Sequence, residues 1–331
     1  MTLVLDDAAV SSLLDPVALV DLIEDAIRAE AQTPSDVPER MNLAGGGRFF
    51  RVMPAVVPSA GVMGLKTFFG GGTAGVRYVM LLASIESGEV LAALDACYLT
   101  AARTAATSAV AARAFGVKSS VLGVLGSGLE AEVHVRTFAA LGGVERVKVF
   151  SPNPDSRNRF AERMRAELSE AGVDVVAVSS TREACEGVTH LITATNTGYG
   201  GPIACRSADI PAGIHVTAIG STHQDLREHE PDVLRRAGVL VFDADPIQIA
   251  GESGDVKAFL DDGGDLSGVL RLDDVLQGTV SLPAEASDLT VFKSVGTALQ
   301  DLVAADLAYR NARERGLGTT WPDLAVPKSR R

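Results

Sequence analysis

Cysteine is scarce: three residues in 331, Cys97, Cys185 and Cys205, an odd number without the close spacing of a zinc or redox motif. That excludes a disulfide framework and points to a reducing, cytoplasmic compartment. Aromatic residues are 5% of the chain, so a composition that is 47% apolar must fill its core with aliphatic side chains and alanine. Basic residues are outnumbered, 30 against 42 acidic ones, and the net charge of −12 argues against nucleic acid or an anionic membrane surface as partner. No apolar run approaches the roughly twenty residues of a membrane span. The N-terminal stretch from Met1 to Asp7 lacks the basic flank and long apolar core of a signal peptide. The five histidines form no metal-ligating pattern, so no metal is expected. His215 falls at a strand entry and His223 in a candidate pocket loop, while the other three read as peripheral.

Glycine, by contrast, is placed with a pattern. Val121-Leu-Gly-Val-Leu-Gly-Ser-Gly-Leu-Glu-Ala131 is a short apolar run that breaks into closely spaced glycines and then into a helical segment. In a strand-loop-helix unit Gly126 makes the tight turn, Gly128 lets the backbone approach a pyrophosphate, and Ala131 takes the small-residue slot where helix meets strand. Ser127 and Leu129 complete the loop. Phosphates would rest on the helix N-terminus, where unpaired N–H groups and the dipole favour an anion. This G-x-G-x-x-A spacing is weak alone and gains weight from its surroundings.

Those surroundings alternate. Val121–Leu125, Arg146–Phe150, Val173–Val178, His190–Ala194, His215–Ile219 and Val239–Asp243 read as apolar strands separated by helices. Such order implies right-handed crossovers and a parallel sheet. The glycine loop follows the first of these strands, as a dinucleotide site requires. Upstream, Asp15-Pro16 reads as a helix start, and Phe50–Val57, Gly61–Phe69, Arg77–Ser84 and Val90–Asp95 read as strands, with a hairpin turn at 86–89. A small-residue helix follows over 99–113, and a long helix over about 294–315 closes the chain. The expected fold class is α/β: a Rossmann-like dinucleotide-binding domain, residues 116–292, inserted in a mixed α+β substrate and dimerisation domain, residues 1–115 and 293–331.

Two groups of residues carry candidate chemistry. The second strand of the dinucleotide unit ends at Ser151 where an acid would favour NAD, and Asn153 and Arg157 follow closely, which favours NADP with NAD as the alternative. Outside that unit, Arg40, Lys66 and Arg103 are cations in apolar or small-residue settings, where a charge must snorkel, pair or face a cleft. Arginine suits a carboxylate through its planar fork, and a partly buried lysine has its pKa lowered towards proton transfer.

Lys66 in its strand, Tyr98-Leu-Thr-Ala-Ala-Arg-Thr-Ala-Ala106, the glycine loop, His215-Val-Thr-Ala-Ile-Gly-Ser221, Glu252-Ser-Gly-Asp255 and Val291-Phe-Lys-Ser-Val-Gly296 together resemble, in order, the ornithine cyclodeaminase/mu-crystallin family. The resemblance covers most of the chain and implies a homodimer. It implies that Arg40, Lys66 and Arg103 line the substrate pocket, the arginines holding an α-carboxylate. It also places Ser294, Val295 and Gly296 near the nicotinamide, and Ser221 is a further cofactor-binding candidate. Members that cyclise ornithine resemble one another in carrying an Asp after the Ala-x-Gly-Gly segment. Here Thr222 stands in that position. A threonine hydroxyl hydrogen-bonds but is no general base near neutral pH, and Asp225, three residues on, reads as a helix cap. The expected activity is therefore NAD(P)H-dependent reduction of a cyclic or small α-imino acid carrying an α-carboxylate, of the pyrroline-2-carboxylate or piperideine-2-carboxylate type, with Lys66 and Thr222 as catalytic candidates. Cyclodeamination of ornithine, reductive amination as in alanine dehydrogenases, and cofactor-dependent ligand binding without turnover are the alternatives.

Overall fold

The computed structural model of the protein describes residues 1–72, 75–280, 289–322 and 324–328. The chain forms two compact units, residues 1–103 with 297–331 and residues 104–296. The division at Arg103/Thr104 lies within one helix, whereas the sequence places the boundary after it, at 115/116. The second division falls at Gly296/Thr297, just ahead of the last helix.

Among the described residues the first unit is built on a seven-stranded sheet. Its strands are β1 (Thr2–Leu5), β2 (Met41–Gly45), β3 (Arg48–Val57), β4 (Val62–Gly70), β5 (Val76–Ser84), β6 (Val90–Asp95) and the C-terminal Thr319–Trp321. From β2 to β6 the sheet is an antiparallel meander in sequence order, and β1 adds parallel to β6. Three of these strands, β1, β2 and the C-terminal Thr319–Trp321, are not apparent in the sequence. The first is only four residues long, and the second carries no buried side chain, so alternation has no inner face to report. Helices Asp7–Leu13 and Pro16–Ala29 start on Asp6 and Asp15, whose carboxylates accept from the N–H groups of Ala9 and Ala18. The last helix, Ala298–Arg315, starts at the Thr297 cap rather than at Ser294, and it packs against β3 and β4.

Among the described residues the second unit holds an eight-stranded sheet with every ladder parallel. Its strands are β7 (Val121–Leu125), β8 (Arg146–Phe150), β9 (Asp174–Ala177), β10 (His190–Thr193), β11 (His215–Ala218), β12 (Ala237–Phe242), β13 (Leu270–Arg271) and β14 (Leu289–Lys293). Their spatial order, β13-β12-β14-β11-β10-β7-β8-β9, runs outward from β7 in one direction as far as β9 and then restarts on the other side of β7 with β10. That reversal beside β7 is the topological switch point, where ligands of open α/β sheets bind at the carboxyl ends of the strands. β7, β10 and β11 are almost wholly buried, as a sheet covered on both faces demands.

Three histidines expected at the periphery are instead interior. His134, His190 and His229 are buried, as is His215. In the sheet core His190 bonds Ser119 and Thr217 through its two ring nitrogens, and His215 bonds Thr290. The hydroxyl partners explain why these strand positions tolerate imidazole, a pattern that apolar periodicity does not register. Burial holds the His190 pKa well below its ordinary value, with His215 and His134 adding to the effect, and burial holds His215 at about 3. Both rings are neutral in the folded protein near neutral pH. The unfolded chain begins to bind protons below about pH 6.5, so their contribution is complete above that pH and is lost as pH falls towards 3. Urea denaturation at pH 7.5 and 5.5 should show the wild type losing about 2 kcal/mol more across this interval than the His190→Gln/His215→Asn variant. Equal losses would show that the two rings titrate alike in both states.

Candidate active site

The candidate residues fall in two places, one in each unit. In the first unit the geometry centres on a carboxylate that the sequence reading passed over. Asp301, in the first turn of the last helix, is fully buried, and its Oδ1 accepts from Lys66 Nζ at 2.7 Å and from Arg103 Nε at 2.8 Å. Gln300, its neighbour, accepts from Arg103 Nη1 at 3.1 Å and from the Thr297 backbone at 3.3 Å. Lys66 comes from the middle of β4 between Met53 and Met80 on the adjoining strands, and its ammonium lies 5.7 Å from the centre of the Phe68 ring. Phe68 stacks on Tyr78 and faces the Arg51 guanidinium, so it serves as a wall beside the cations as well as a core residue. Arg40, buried just ahead of β2, is close enough to disfavour the charge on Lys66. The structure thus gathers Arg40, Lys66 and Arg103, and adds Asp301 and Gln300.

The charges of this cluster are mutually adjusted. Burial lowers the Lys66 pKa; Asp301 opposes that fall, Arg103 and Arg40 reinforce it, and the outcome is about 7. Burial pushes Asp301 up, but Lys66 and Arg103 more than offset it and hold the carboxyl below the usual range. Near neutral pH the group is an ionised acceptor beside an ammonium that can release its proton. The signal that would have found Asp301 is a lone acid in Thr297-Ala-Leu-Gln-Asp-Leu-Val, an otherwise apolar helix start.

In the second unit the dinucleotide features converge on the carboxyl ends of the strands. Gly126 has φ +114°, and a Cβ there would stand 2.3 Å from the Ala194 carbonyl, so only glycine turns the chain at this point. Gly128 starts the helix Leu129–Leu141 without a side-chain cap, and open space lies where its Cβ would project. Ala131 is fully buried. The first helical N–H groups thus face a cradle that fits a pyrophosphate. At the end of β8, Ser151 accepts a hydrogen bond from Ser127 Oγ at 2.9 Å. Arg157 donates to the Ser151 carbonyl at 2.9 Å and lies over the Phe150 ring, which brings its guanidinium back to the strand end. Asn153 is occupied as the cap of the helix Pro154–Glu167, accepting from Ser156 N–H.

The loops named in the sequence analysis have hydrogen-bond partners within the protein. The Ser221 hydroxyl is buried and donates to the Leu226 carbonyl, pairs with Ser253 Oγ and accepts from Asp255 N–H, so it staples its own loop. Ser294 does not cap the last helix: its hydroxyl donates to Asp243 at 2.6 Å, and the N–H groups of Val295 and Gly296 bind the same carboxylate. The Ser294 carbonyl in turn accepts from Lys293 Nζ at 3.1 Å, so this loop is held from both sides. Asp225 starts no helix, since its side chain is largely exposed in a turn, beside His223. Thr222 is half-buried in the same loop, where the Tyr199 ring meets His223 edge-on.

Glu228, His229 and Asp255 form a buried cluster of metal-ligating types. Glu228 already accepts from Gly220 N–H, Thr195 N–H and the hydroxyls of Thr193 and Thr195, and Asp255 accepts from the Glu228 and His229 backbones and from the His229 ring. Burial opposes charge on His229 and Asp255, yet their mutual hydrogen bond and attraction outweigh it, raising the His229 pKa and lowering that of Asp255. The donor set suits a loop clamp better than a cation, because every acid is already turned towards N–H and O–H groups.

Comparison with known proteins now decides the family. The sequence profile of the ornithine cyclodeaminase/mu-crystallin family matches residues 1–316. The chain belongs to this family. It is similar to mouse ketimine reductase mu-crystallin, with 33% identity over 268 residues covering 79% of this chain and 80% of that protein. It is also similar to an alanine dehydrogenase of Archaeoglobus fulgidus, 26% identical over 330 residues and covering 96% and 97% of the two chains. Among solved structures, the delta(1)-pyrroline-2-carboxylate reductase of Thermococcus litoralis, in complex with NADH and L-proline, superposes with a TM-score of 0.89 at 26% identity, covering 97% of this chain and all of that one. These family members are reductases or dehydrogenases of small imino or amino acids. Among the described residues no helix is long and apolar enough to cross a membrane.

The hydroxyl pair Ser127–Ser151 yields a prediction about cofactor choice. Ser151→Asp places a carboxylate at the end of β8, where an acid favours the 2′-hydroxyl of NAD over the 2′-phosphate of NADP, and the ratio of kcat/KM for NADPH over NADH should fall about tenfold or more. An unchanged ratio would remove Ser151 from the adenosine end of the site.

Proposed function

We propose that this protein is an NAD(P)H-dependent reductase of cyclic or small α-imino acids, of the pyrroline-2-carboxylate or piperideine-2-carboxylate type. The observation that carries the reading is the Lys66–Asp301–Arg103 cluster: a buried ammonium with a pKa of about 7 held beside a guanidinium suited to a carboxylate. When bound, the dinucleotide supplies a hydride from its nicotinamide. The protein's task is then to hold the substrate carboxylate, exclude water and supply a proton. The hydride adds to the imine carbon, the C=N π pair moves onto nitrogen, and that nitrogen takes a proton. Imine, NAD(P)H and H+ thereby give amine and NAD(P)+.

Arg40 and Arg103 hold the α-carboxylate, and Lys66 provides the proton to the nitrogen and regains one from solvent. The glycine loop of Gly126 to Leu129 takes the pyrophosphate, and Ser151 with Arg157 takes the adenosine end, with NADP preferred. Thr222 contributes a hydrogen bond to the substrate and no acid–base step, since no carboxylate of its loop points away from the clamp except the exposed Asp225. The absence of an acid at that position favours reduction over ornithine cyclodeamination. A homodimer is supported by the apolar residues Met41, Leu43 and Phe50, each more than 40% exposed on β2 and β3. The scarcity of cysteine, with Cys185 and Cys205 buried as free thiols, supports a reducing, cytoplasmic setting.

The test is a screen of cyclic ketimines, keto acid plus amine pairs, and ornithine against NADPH and NADH. Ketimine-dependent NAD(P)H oxidation is expected. Ammonia release from ornithine without ketimine reduction would overturn the reading, and tight ligand binding without any turnover would place the chain with binding proteins. In the active enzyme, Arg103→Ala should raise KM about tenfold to a hundredfold, and Lys66→Ala should lower kcat by about a hundredfold or more. Because only the ammonium form donates, kcat for reduction should decline as pH rises through about 7.

A further inference from the structure

Lys66, Arg103 and Asp301 come from three separate elements, a strand, a helix and the start of the last helix, yet they meet at one atom. Asp301 Oδ1 binds both cations, at 2.7 and 2.8 Å, and all three side chains are at most about one-twentieth exposed. Two cations sharing one oxygen cannot be set independently: a shift of that oxygen moves the ammonium and the guanidinium together. Gln300, one residue earlier on the same helix, holds the Nη1 end of the guanidinium and so fixes the plane of the fork. The helix start is itself fixed, because Gln300 also accepts from the Thr297 N–H.

We propose that Asp301 is the positioning residue of the site, a single carboxylate that orients the proton donor Lys66 and the carboxylate-binding Arg103 and keeps the Lys66 ammonium charged. The proposal rests on the reductase reading in one respect, that Lys66 supplies the proton. The groups that bear on Lys66 are Asp301 from the last helix, Arg103 from the helix 97–114, Arg40 from the segment before β2, and the ring of Phe68 on its own strand. Its flanking neighbours on β3 and β5, Met53 and Met80, carry no charge. Asp301 is the one acid among these groups. Burial, Arg103 and Arg40 all press Lys66 towards the neutral amine, and Asp301 alone resists.

The sign of each change follows. Asp301→Asn keeps the shape but removes the anion, so Lys66 releases its proton at lower pH. The alkaline limb of the kcat profile for ketimine reduction should move down by about one pH unit or more, with a roughly tenfold loss of kcat at pH 7 that acidification partly restores. Arg103→Gln removes a competing cation, so the limb should move up while KM rises. A role confined to stability would lower the melting temperature and leave both limbs in place. Opposite shifts in the two variants support the proposal. If Asp301→Asn does not fold, an upward limb in Arg103→Gln supports it, and an unmoved or lowered limb overturns it. Lys66→Arg separates the two claims: an arginine stays charged, so loss of the alkaline limb in that variant assigns the limb to Lys66. If the limb survives in Lys66→Arg, the proton-donor reading fails. If it is lost there but stays in place in Asp301→Asn, the donor stands and the positioning role of Asp301 falls.

Discussion

The first unit depends on a carboxylate that has been taken out of water. A buried ion pair recovers its desolvation cost only when geometry is good and the remaining hydrogen-bonding groups are met, and removing one partner costs about 3–5 kcal/mol. Asp301 meets both cations through one oxygen, while its Oδ2 is buried without a hydrogen-bond partner. For stability alone, well-packed aliphatic residues would serve the interior as well or better. The arrangement is therefore better explained by what it does to Lys66, whose ammonium is brought near the middle of the pH scale by opposing neighbours. The last helix matters for the same reason: its first turn carries Asp301, where the helix dipole favours an anion.

The second unit uses its acids differently, Glu228 and Asp255 being buried and Asp243 half-buried. Asp243, Glu228 and Asp255 each bind backbone N–H groups of loops at the carboxyl ends of the strands. Such loops carry N–H groups that no ladder satisfies, and a buried donor without a partner is costly. One carboxylate accepting several of them fixes a loop more firmly than a neutral partner would. Loops that must present a backbone to a dinucleotide are thereby held in place. The acids that do the holding are not available for acid–base work on a substrate.

The parallel sheet was legible because its strands are short, continuous and apolar, and the glycine loop fell at the end of the right one. Gly126 was legible for the same reason, since the turn it makes excludes any side chain. Arg40, Lys66 and Arg103 stood out as cations among apolar or small residues. Asp301 did not, because an acid near the start of a helix has an ordinary use with the dipole, and its partners lie 198 and 235 residues away in sequence. The protein partners of Ser221 and Ser294 were not legible because a hydroxyl in a glycine-containing loop has the same sequence signature whether it meets a ligand or the loop itself. The interior histidines were misplaced since their hydroxyl partners, Ser119, Thr217 and Thr290, lie on other elements.

The protonation states also discriminate between the chemistries open to this family. Cyclising ornithine requires a group that withdraws protons from the substrate amine or an attacking water, which calls for a base whose pKa approaches the working pH. Asp301 is held below the ordinary carboxylate range by two cations, which makes it a poor base, and Thr222 has no basic function to offer. Lys66 stands at about 7, and its ammonium is hydrogen-bonded to Asp301 at 2.7 Å. A site composed of an ammonium ready to donate and a carboxylate reluctant to accept is matched to a step that consumes a proton. Imine reduction is such a step, because each hydride delivered to carbon leaves a nitrogen that must be protonated.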